Sequence, residues 1–259
     1  MDSVLYNIPL TVFAIILFIV ILLAHVAGVQ TGNFQRQKNS GAAAGIGPLE
    51  TSLLGLLSLL LSFTFSMSAS RNDARRTAII TEANVISTAI LNTDLYPDSI
   101  RNDLRKELQQ YLEERINYYK YNDEKDIQAA LVKAQTIYEK IAKTIALLAH
   151  DPAYAVMTNQ MVPALHHAAD SITTRDALRT ARVPYSIIWL LVILTLLGSF
   201  IIGYAKLQIK NDWIIVFIYA LMTVITLVTI LDLDNSKGGL IKMDATHIKI
   251  EELRTMFKK

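Results

Sequence analysis

Cysteine is absent from this chain of 259 residues. Its absence excludes disulfide bonds, a thiolate nucleophile and any metal site with cysteine ligands, and it removes the usual indicator of an oxidising compartment. A metal ion would need histidine or carboxylate ligands. No group of such residues has a convincing ligand spacing, so we predict neither a metal nor another cofactor.

Charged residues are also few, at 19% of the chain, whereas 52% of the residues are hydrophobic. A soluble domain needs a more polar surface than this composition provides, so lipid must solvate part of the chain. The formal net charge is only +2, and no long basic run is present to neutralise a phosphate backbone. We therefore expect membrane lipids as partners and no nucleic acid.

Four segments contain no acidic or basic side chain apart from one histidine. Each is long enough to cross a membrane, because about 20 helical residues at ~1.5 Å each span a hydrocarbon core of ~30 Å. The first segment has no basic residue before it and is longer than the apolar part of a signal peptide, so we predict a retained helix. The predicted spans are residues 8–29, 51–70, 183–205 and 213–231.

The orientation of these spans follows from their flanks, because lysine and arginine are enriched on the cytoplasmic side. One side carries nine such residues and the other carries four. We therefore predict a multi-pass protein of the cell (inner) membrane with both termini in the cytoplasm. The nine are Arg71, Arg75, Arg76, Arg175, Arg179, Arg182, Lys237, Lys242 and Lys249, and the four are Arg36, Lys38, Lys206 and Lys210.

Residues 71–182, between the second and third predicted spans, are charged throughout. Apolar residues recur there at helical spacing and never with the period of two that is typical of strands, which predicts an all-α cytoplasmic domain. The second span should continue as a helix over 71–95, and Asp98 or Ser99 should cap the next helix. The predicted organisation is therefore two spans in 1–70, the helical domain in 71–182 with further helices near 126–150 and 164–182, two spans in 183–231, and a cytoplasmic segment in 232–259.

The second predicted span is rich in glycine and serine, and it is followed by three arginines and by the pair Glu82 and Ala83. Residues 95–97 read Leu-Tyr-Pro, with tyrosine where leucine is expected, and residues 231–234 read LDLD shortly before Gly239. Taken together, over about half of the chain, these features resemble the bestrophin-like family of prokaryotic membrane proteins. That family is a domain of unknown function whose name asserts distant kinship with the bestrophins.

This resemblance implies a fold and a function. Bestrophins are pentameric ion channels, mostly anion-selective, whose second helix lines the pore and whose cytoplasmic helices extend the conduit. The resemblance therefore implies four spans with a helical cytoplasmic domain between the second and third, a homopentamer, and transport of small inorganic ions such as chloride. The chain lacks the tryptophan-bearing motif that follows the second span in bestrophins.

One face of the second predicted span consists of small and hydroxyl-bearing residues. At ~100° per residue these positions fall within about one third of the helix circumference. Hydroxyls can replace part of an ion's hydration shell, so this face can form a pore wall in which bulky phenylalanines form a constriction. Close helix packing through small residues is the alternative interpretation. The candidate pore-lining residues are Ser58, Ser62, Ser66, Phe63 and Phe65.

Charged residues follow both ends of this face. Arg71, Arg75 and Arg76 lie within two turns of its cytoplasmic end, where rings of them in an oligomer would concentrate anions. Lipid anchoring or salt-bridged packing is the alternative for these arginines. Glu50 lies at the opposite end, where a ring of carboxylates would favour cations, so the charges leave the selectivity open.

Each of the remaining polar candidates for a functional site also has a purely structural interpretation. His25 is the one titratable residue inside a predicted span, which makes it a functional candidate, although a hydrogen-bonded neutral imidazole is the simpler interpretation. His166 and His167 point ~100° apart on a helix, which is poor geometry for one metal. Asp232, Asp234 and Asn235 have the spacing of a calcium loop, but the loop's glycine and glutamate are missing. A helix end, with Gly238 and Gly239 after it, is the simpler interpretation. The alternative, implied by the resemblance, is a calcium clasp such as some bestrophins form after their last span.

No catalytic motif is recognisable, so an enzyme is the least expected class. Three classes remain: an oligomeric ion channel, a non-conducting membrane scaffold or sensor that acts through its cytoplasmic helices, and a small-molecule transporter. A transporter would more often show internal repeats and helices broken within the membrane, and the sequence shows neither.

Overall fold

The computed structural model describes residues 9–38, 47–205, 213–235 and 243–258. These ranges are helical, with short connections and no strand, which confirms the all-α prediction. In chain order the helices are α1 (Leu10–Lys38), α2 (Gly47–Thr93), α3 (Asp98–Lys120), α4 (Glu124–Leu148), a 3-10 turn (Pro152–Tyr154), α5 (Ala155–Thr180), α6 (Tyr185–Ala205), α7 (Trp213–Asp234), α8 (Asp244–Glu252) and a second 3-10 turn (Leu253–Phe257).

The chain divides into two compact units. The first, which we call the membrane unit, comprises Met1–Asn72 and Arg182–Ile241, and the second, the helical unit, comprises Asp73–Ala181 and Lys242–Lys259. Within the described ranges, four helical segments are long and apolar enough to cross a membrane, namely α1, α2, the stretch Pro152–Ala205 that contains α6, and α7. This confirms the prediction of a membrane protein with four apolar helices.

Close contact between α1 and α6 organises the membrane unit. A Cβ atom added at Gly28 would overlap the backbone carbonyl of Phe200, and one added at Gly203 would overlap the carbonyl of His25. The Ser199 hydroxyl donates to the Ile21 carbonyl at 2.8 Å. Small residues thus let the two backbones touch, which is how helices commonly associate in lipid.

The membrane helices differ in length from the predicted spans. Helix α1 continues to Lys38, and near its end Arg36 donates to the Tyr204 carbonyl at 2.7 Å. Helix α6 begins at Tyr185 rather than 183, because Pro184 disfavours the helical conformation of the residue before it. Helix α7 continues to Asp234, three residues beyond the predicted end of the span. The glycines at 238 and 239, to which the helix end was assigned, lie outside the described residues.

The helical unit is built around amphipathic helices. On α3 the buried residues recur every three or four positions, and α4 repeats this pattern with smaller side chains. Asp123 caps α4 by accepting a hydrogen bond from the Lys125 amide at 2.8 Å, as N-cap carboxylates do. The buried core includes Ile86, Ile90, Leu104, Leu108, Tyr111, Leu112, Ile141, Ile145, Met161 and Leu165.

Two predicted helix starts in this unit are wrong. Neither Asp98 nor Ser99 caps α3, because Pro97 occupies the cap position and Asp98 is already helical. Helix α5 begins at Ala155 rather than near 164 and runs through Pro163. Pro163 has no N–H, so the Asn159 carbonyl loses its helical donor. Both residues lie on the exposed face of α5, where this carbonyl can bind water instead. The proline is therefore tolerated. Buried residues on both sides, Met161 and Leu165, hold the helix together across the proline.

The described C-terminal residues pack on the helical unit. Glu113 of α3 accepts a hydrogen bond from Arg254 at 2.7 Å. Lys120 forms an ion pair with Glu251 at 2.9 Å. The sequence predicts a separate cytoplasmic segment over 232–259, whereas in the structure α8 belongs to the compact helical unit.

Candidate functional site

The serine stripe of α2 is exposed in the single chain. Ser58, Ser62 and Ser66 all lie on the solvent-accessible face of the helix, whereas Leu57 and Thr64, which face the other way, are buried. The structure therefore turns the stripe away from the other helices of the membrane unit. Packing against the other described residues of the chain does not account for it.

Two phenylalanines lie beside this stripe. The exposed fraction of Phe63 is 64% and that of Phe65 is 42%. The Ser58 hydroxyl donates to the Leu54 carbonyl of its own helix at 2.9 Å, so its oxygen can still accept a bond from outside. Glu50, in the first turn of α2, is half-buried. Its charge is favourable at this end because the helix dipole is positive there.

Arg71 is held by an acidic residue from another helix. Its Nη1 lies 3.3 Å from Oδ1 of Asp234, and a quarter of the Arg71 side chain remains exposed. The other Asp234 oxygen accepts a hydrogen bond from the Val183 amide at 2.8 Å. Asp234 is fully buried. Through these two contacts it joins α2 to the residues just before α6 inside the membrane unit. Asp234, one of the residues with the spacing of a calcium loop, thus has a structural role in this arrangement.

Arg75 has a different environment. It is buried, and it donates to the Leu178 carbonyl at 2.9 Å and to the Ala181 carbonyl at 2.7 Å. These carbonyls belong to the end of α5, where backbone acceptors have no helical donor. Arg75 therefore caps α5 within the helical unit. Arg76 is half-buried, and its Nε has no hydrogen-bond partner in the described part of the chain. The three arginines thus differ in their contacts, although the sequence treated them as one group.

The helical unit contains a buried ionic network that no pattern in the sequence predicted. Glu82 of α2 accepts hydrogen bonds from Arg115 of α3 and from Arg175 of α5. The Arg115 and Arg175 guanidinium groups lie 4.7 and 5.3 Å from the centre of the Tyr118 ring. No local spacing could reveal this network, because Glu82 is 33 residues from one arginine and 93 from the other.

This network sets the ionisation of Glu82. Burial by itself would raise the pKa of the Glu82 carboxyl, but the charges of Arg115 and Arg175 and their hydrogen bonds outweigh burial and lower it. Glu82 is consequently a carboxylate at neutral pH. Burial also raises the pKa of the Tyr118 hydroxyl, to about 12.

Of the three histidines considered as candidates, one is buried against its neighbours and two are exposed. His25 is buried, with Nδ1 3.4 Å from the Ser199 carbonyl and its ring edge-on to Trp213 at 5.9 Å. His166 and His167 are both exposed on α5. Among the residues with described positions, no three histidine, aspartate or glutamate side chains are grouped as metal ligands.

Comparison with known families and structures agrees with this architecture. Residues 13–242 match the bestrophin-like domain. A bacterial bestrophin homologue from Klebsiella pneumoniae, solved by zinc phasing, superposes with a TM-score of 0.72 at 14% identity, covering 95% of this chain and 98% of that one.

Two single-substitution variants of the same homologue superpose similarly. A variant in which threonine replaces a leucine has a TM-score of 0.73 at 14% identity over 95% of this chain and 99% of that one. A variant in which alanine replaces a tryptophan has a TM-score of 0.69 at 15% identity over the full length of both chains. A search of curated protein sequences found no match. The helical architecture and the extent of the domain match identify the chain as a member of the bestrophin-like family with a bestrophin-like fold.

Proposed function

We propose that this protein is a homo-oligomeric channel for small ions in the cell (inner) membrane, with α2 lining a central pore. The observation that carries the proposal is the exposed serine stripe on α2. Hydroxyl-bearing side chains gain nothing from contact with lipid tails, so in the assembled protein they should face water or another protein chain.

The assembly we propose is a pentamer, as in the bestrophins that the sequence resembles. Five copies of the exposed α2 face around one axis would bring Ser58, Ser62 and Ser66 into rings. Hydroxyl oxygens in such rings replace part of an ion's hydration, which lowers the cost of moving it through the membrane. The described residues of a single chain do not enclose a path along the stripe, so the oligomer is a precondition.

Phe63 and Phe65 supply the constriction in this proposal. Both are exposed, and rings of bulky apolar side chains exclude water from a narrow passage. An ion cannot cross a dry segment, so widening it should raise conduction. This effect is the opposite of that expected from enlarging a serine.

We assign anions as the conducted species, with chloride the first to test. Arg71 retains partial exposure, and Arg76 has a guanidinium nitrogen without a partner in the described residues. In an oligomer their charges would attract anions. Arg75 adds to this positive charge from its position at the end of α5, whose carbonyls it caps. Asp234 offsets part of the Arg71 charge, and Glu50 acts in the cation-favouring direction, so the expected anion preference is moderate.

The test is ion flux through the purified protein in liposomes. Phe63→Ala or Phe65→Ala should increase chloride flux, and Ser62→Leu should block it. Two controls separate these effects from general damage: Phe34→Ala removes a ring that is 67% exposed on α1, and Ser62→Ala leaves a small side chain in the stripe. Neither control should change flux by more than about twofold.

Native mass spectrometry of the same preparations shows whether the oligomer is intact. An oligomeric wild type that conducts nothing, with both phenylalanine variants equally silent, would refute the channel. The cytoplasmic helices would then act as the working part of a membrane scaffold or sensor. A monomer in mild detergent would refute the central pore.

A further inference from the structure

Arg115 has two hydrogen-bonding atoms that are buried without an acceptor. Its side chain is fully buried, and its Nε donates to Glu82. Its Nη1 and Nη2 atoms have no partner within the described part of the chain. A guanidinium group is always charged, and an unsatisfied buried charge is more costly than an unsatisfied neutral group. Such a group calls for an acceptor.

The surrounding charges do not supply that acceptor. Each Glu82 oxygen already accepts a hydrogen bond, one from Arg115 Nε and the other from Arg175, and neither accepts from the Nη atoms of Arg115. The nearby Tyr118 hydroxyl donates to Asp176 at 3.2 Å. The fully or almost fully buried part of this network therefore contains two cations and one anion, which leaves one positive charge in excess.

Two neighbouring carboxylates share another arginine. Arg179 bonds Asp176 at 3.0 Å and both oxygens of Glu124 at 2.8 Å, so this group keeps one negative charge. Both acids are more exposed than Glu82, Arg115 and Arg175. They therefore offset only part of the excess charge next to Arg115.

We propose that the two Nη atoms of Arg115 bind a small monovalent inorganic anion of halide size inside the helical unit. Two N–H groups in the planar fork of a guanidinium can donate to one anion together. An anion also neutralises the buried excess charge, which a water molecule in the same place would leave uncompensated.

The aromatic ring of Tyr118 limits how the anion approaches. Because the Arg115 guanidinium carbon lies 4.7 Å from the ring centre, this ring covers one face of the group. The anion is therefore bound at the edge that carries Nη1 and Nη2. It would be enclosed between α2, α3 and α5, which supply Glu82, Arg115 and Arg175. This site is independent of the proposed pore, since all of its residues belong to the helical unit.

Bromide is the probe that distinguishes an anion from water, because it scatters anomalously and water does not. Crystals of the full-length protein grown in sodium bromide should show an anomalous peak within about 3.5 Å of the Arg115 Nη atoms. Density there without an anomalous signal, or no density, would overturn the proposal. The wild-type crystal decides this outcome even where a variant does not fold.

Thermal unfolding provides the second measurement, in detergent at constant ionic strength with gluconate replacing chloride. Wild type should unfold about 3 °C or more higher at a chloride concentration tenfold above its dissociation constant. Arg115→Lys, which keeps the charge but removes the fork, should lose this shift. Arg101→Lys is the matched control, because Arg101 pairs with Asp98 at the surface, and it should keep the shift. An equal shift in both variants, or none in wild type, would contradict the site.

Discussion

Glu82 connects three helices of the helical unit. It is fully buried, and its two oxygens bond arginines from two different helices. Neither arginine has another carboxylate among its described hydrogen bonds. Loss of the Glu82 charge would thus leave two buried cations uncompensated.

Glu82→Gln should therefore lower the free energy of unfolding by about 3–5 kcal/mol, the usual cost of breaking a buried ion pair from one side. Chemical or thermal unfolding of the purified protein measures this loss. Glu113→Gln is the matched control: it removes the partner of Arg254, and both side chains of that pair are roughly 40% exposed. The control should cost less than about 1 kcal/mol. Similar losses in the two variants would contradict the network.

The same network predicts a dependence of stability on pH. The pKa of Glu82 is lowered by folding from the ordinary value of 4.5. A carboxyl of this kind contributes stability that is fully present above its unfolded pKa and is lost as the pH falls through its folded pKa. The unfolding midpoint of wild type should therefore fall as the pH drops below about 4.5. Glu82→Gln should show a shallower fall over the same acidic range, and an unchanged slope would count against this origin.

At the scale of elements, the contact between α1 and α6 depends on residues without side chains. Gly28, Gly32 and Gly203 each lie where a Cβ would overlap the backbone of the facing helix. The backbones themselves are thus in contact along the two helices. A methyl group can be accommodated only if the helices move apart.

Gly203→Ala should therefore destabilise the membrane unit by about 1–3 kcal/mol, the usual cost of overpacking. The variant should unfold at a lower temperature in detergent than wild type. Gly47→Ala serves as the control, because a Cβ at Gly47 meets nothing within 4 Å. A Gly203 variant as stable as the control would show that the two helices are free to separate.

At the scale of the whole molecule, the absence of cysteine makes the proposed topology directly measurable. Asn122 is exposed between α3 and α4, and Gln37 is exposed near the end of α1. If the basic flanks face the cytoplasm, a membrane-impermeant maleimide should label Gln37→Cys in intact spheroplasts and Asn122→Cys only after lysis. Wild type, without cysteine, gives the background. The reverse pattern would mean that the orientation is inverted.

The sequence by itself determined the apolar spans and the all-α class, because these depend on local composition and on the helical period. Its motifs also carried the resemblance to the family. The exposed serine stripe was also visible as a pattern, but only the fold decided which face of α2 the chain leaves open. The separate roles of Arg71 and Arg75, and the passage of α5 through Pro163, depended on contacts with distant residues. The Glu82–Arg115–Arg175 network is the extreme case. Its members lie on three helices, and residues so far apart in sequence meet only when the helices pack, so no local pattern reports them.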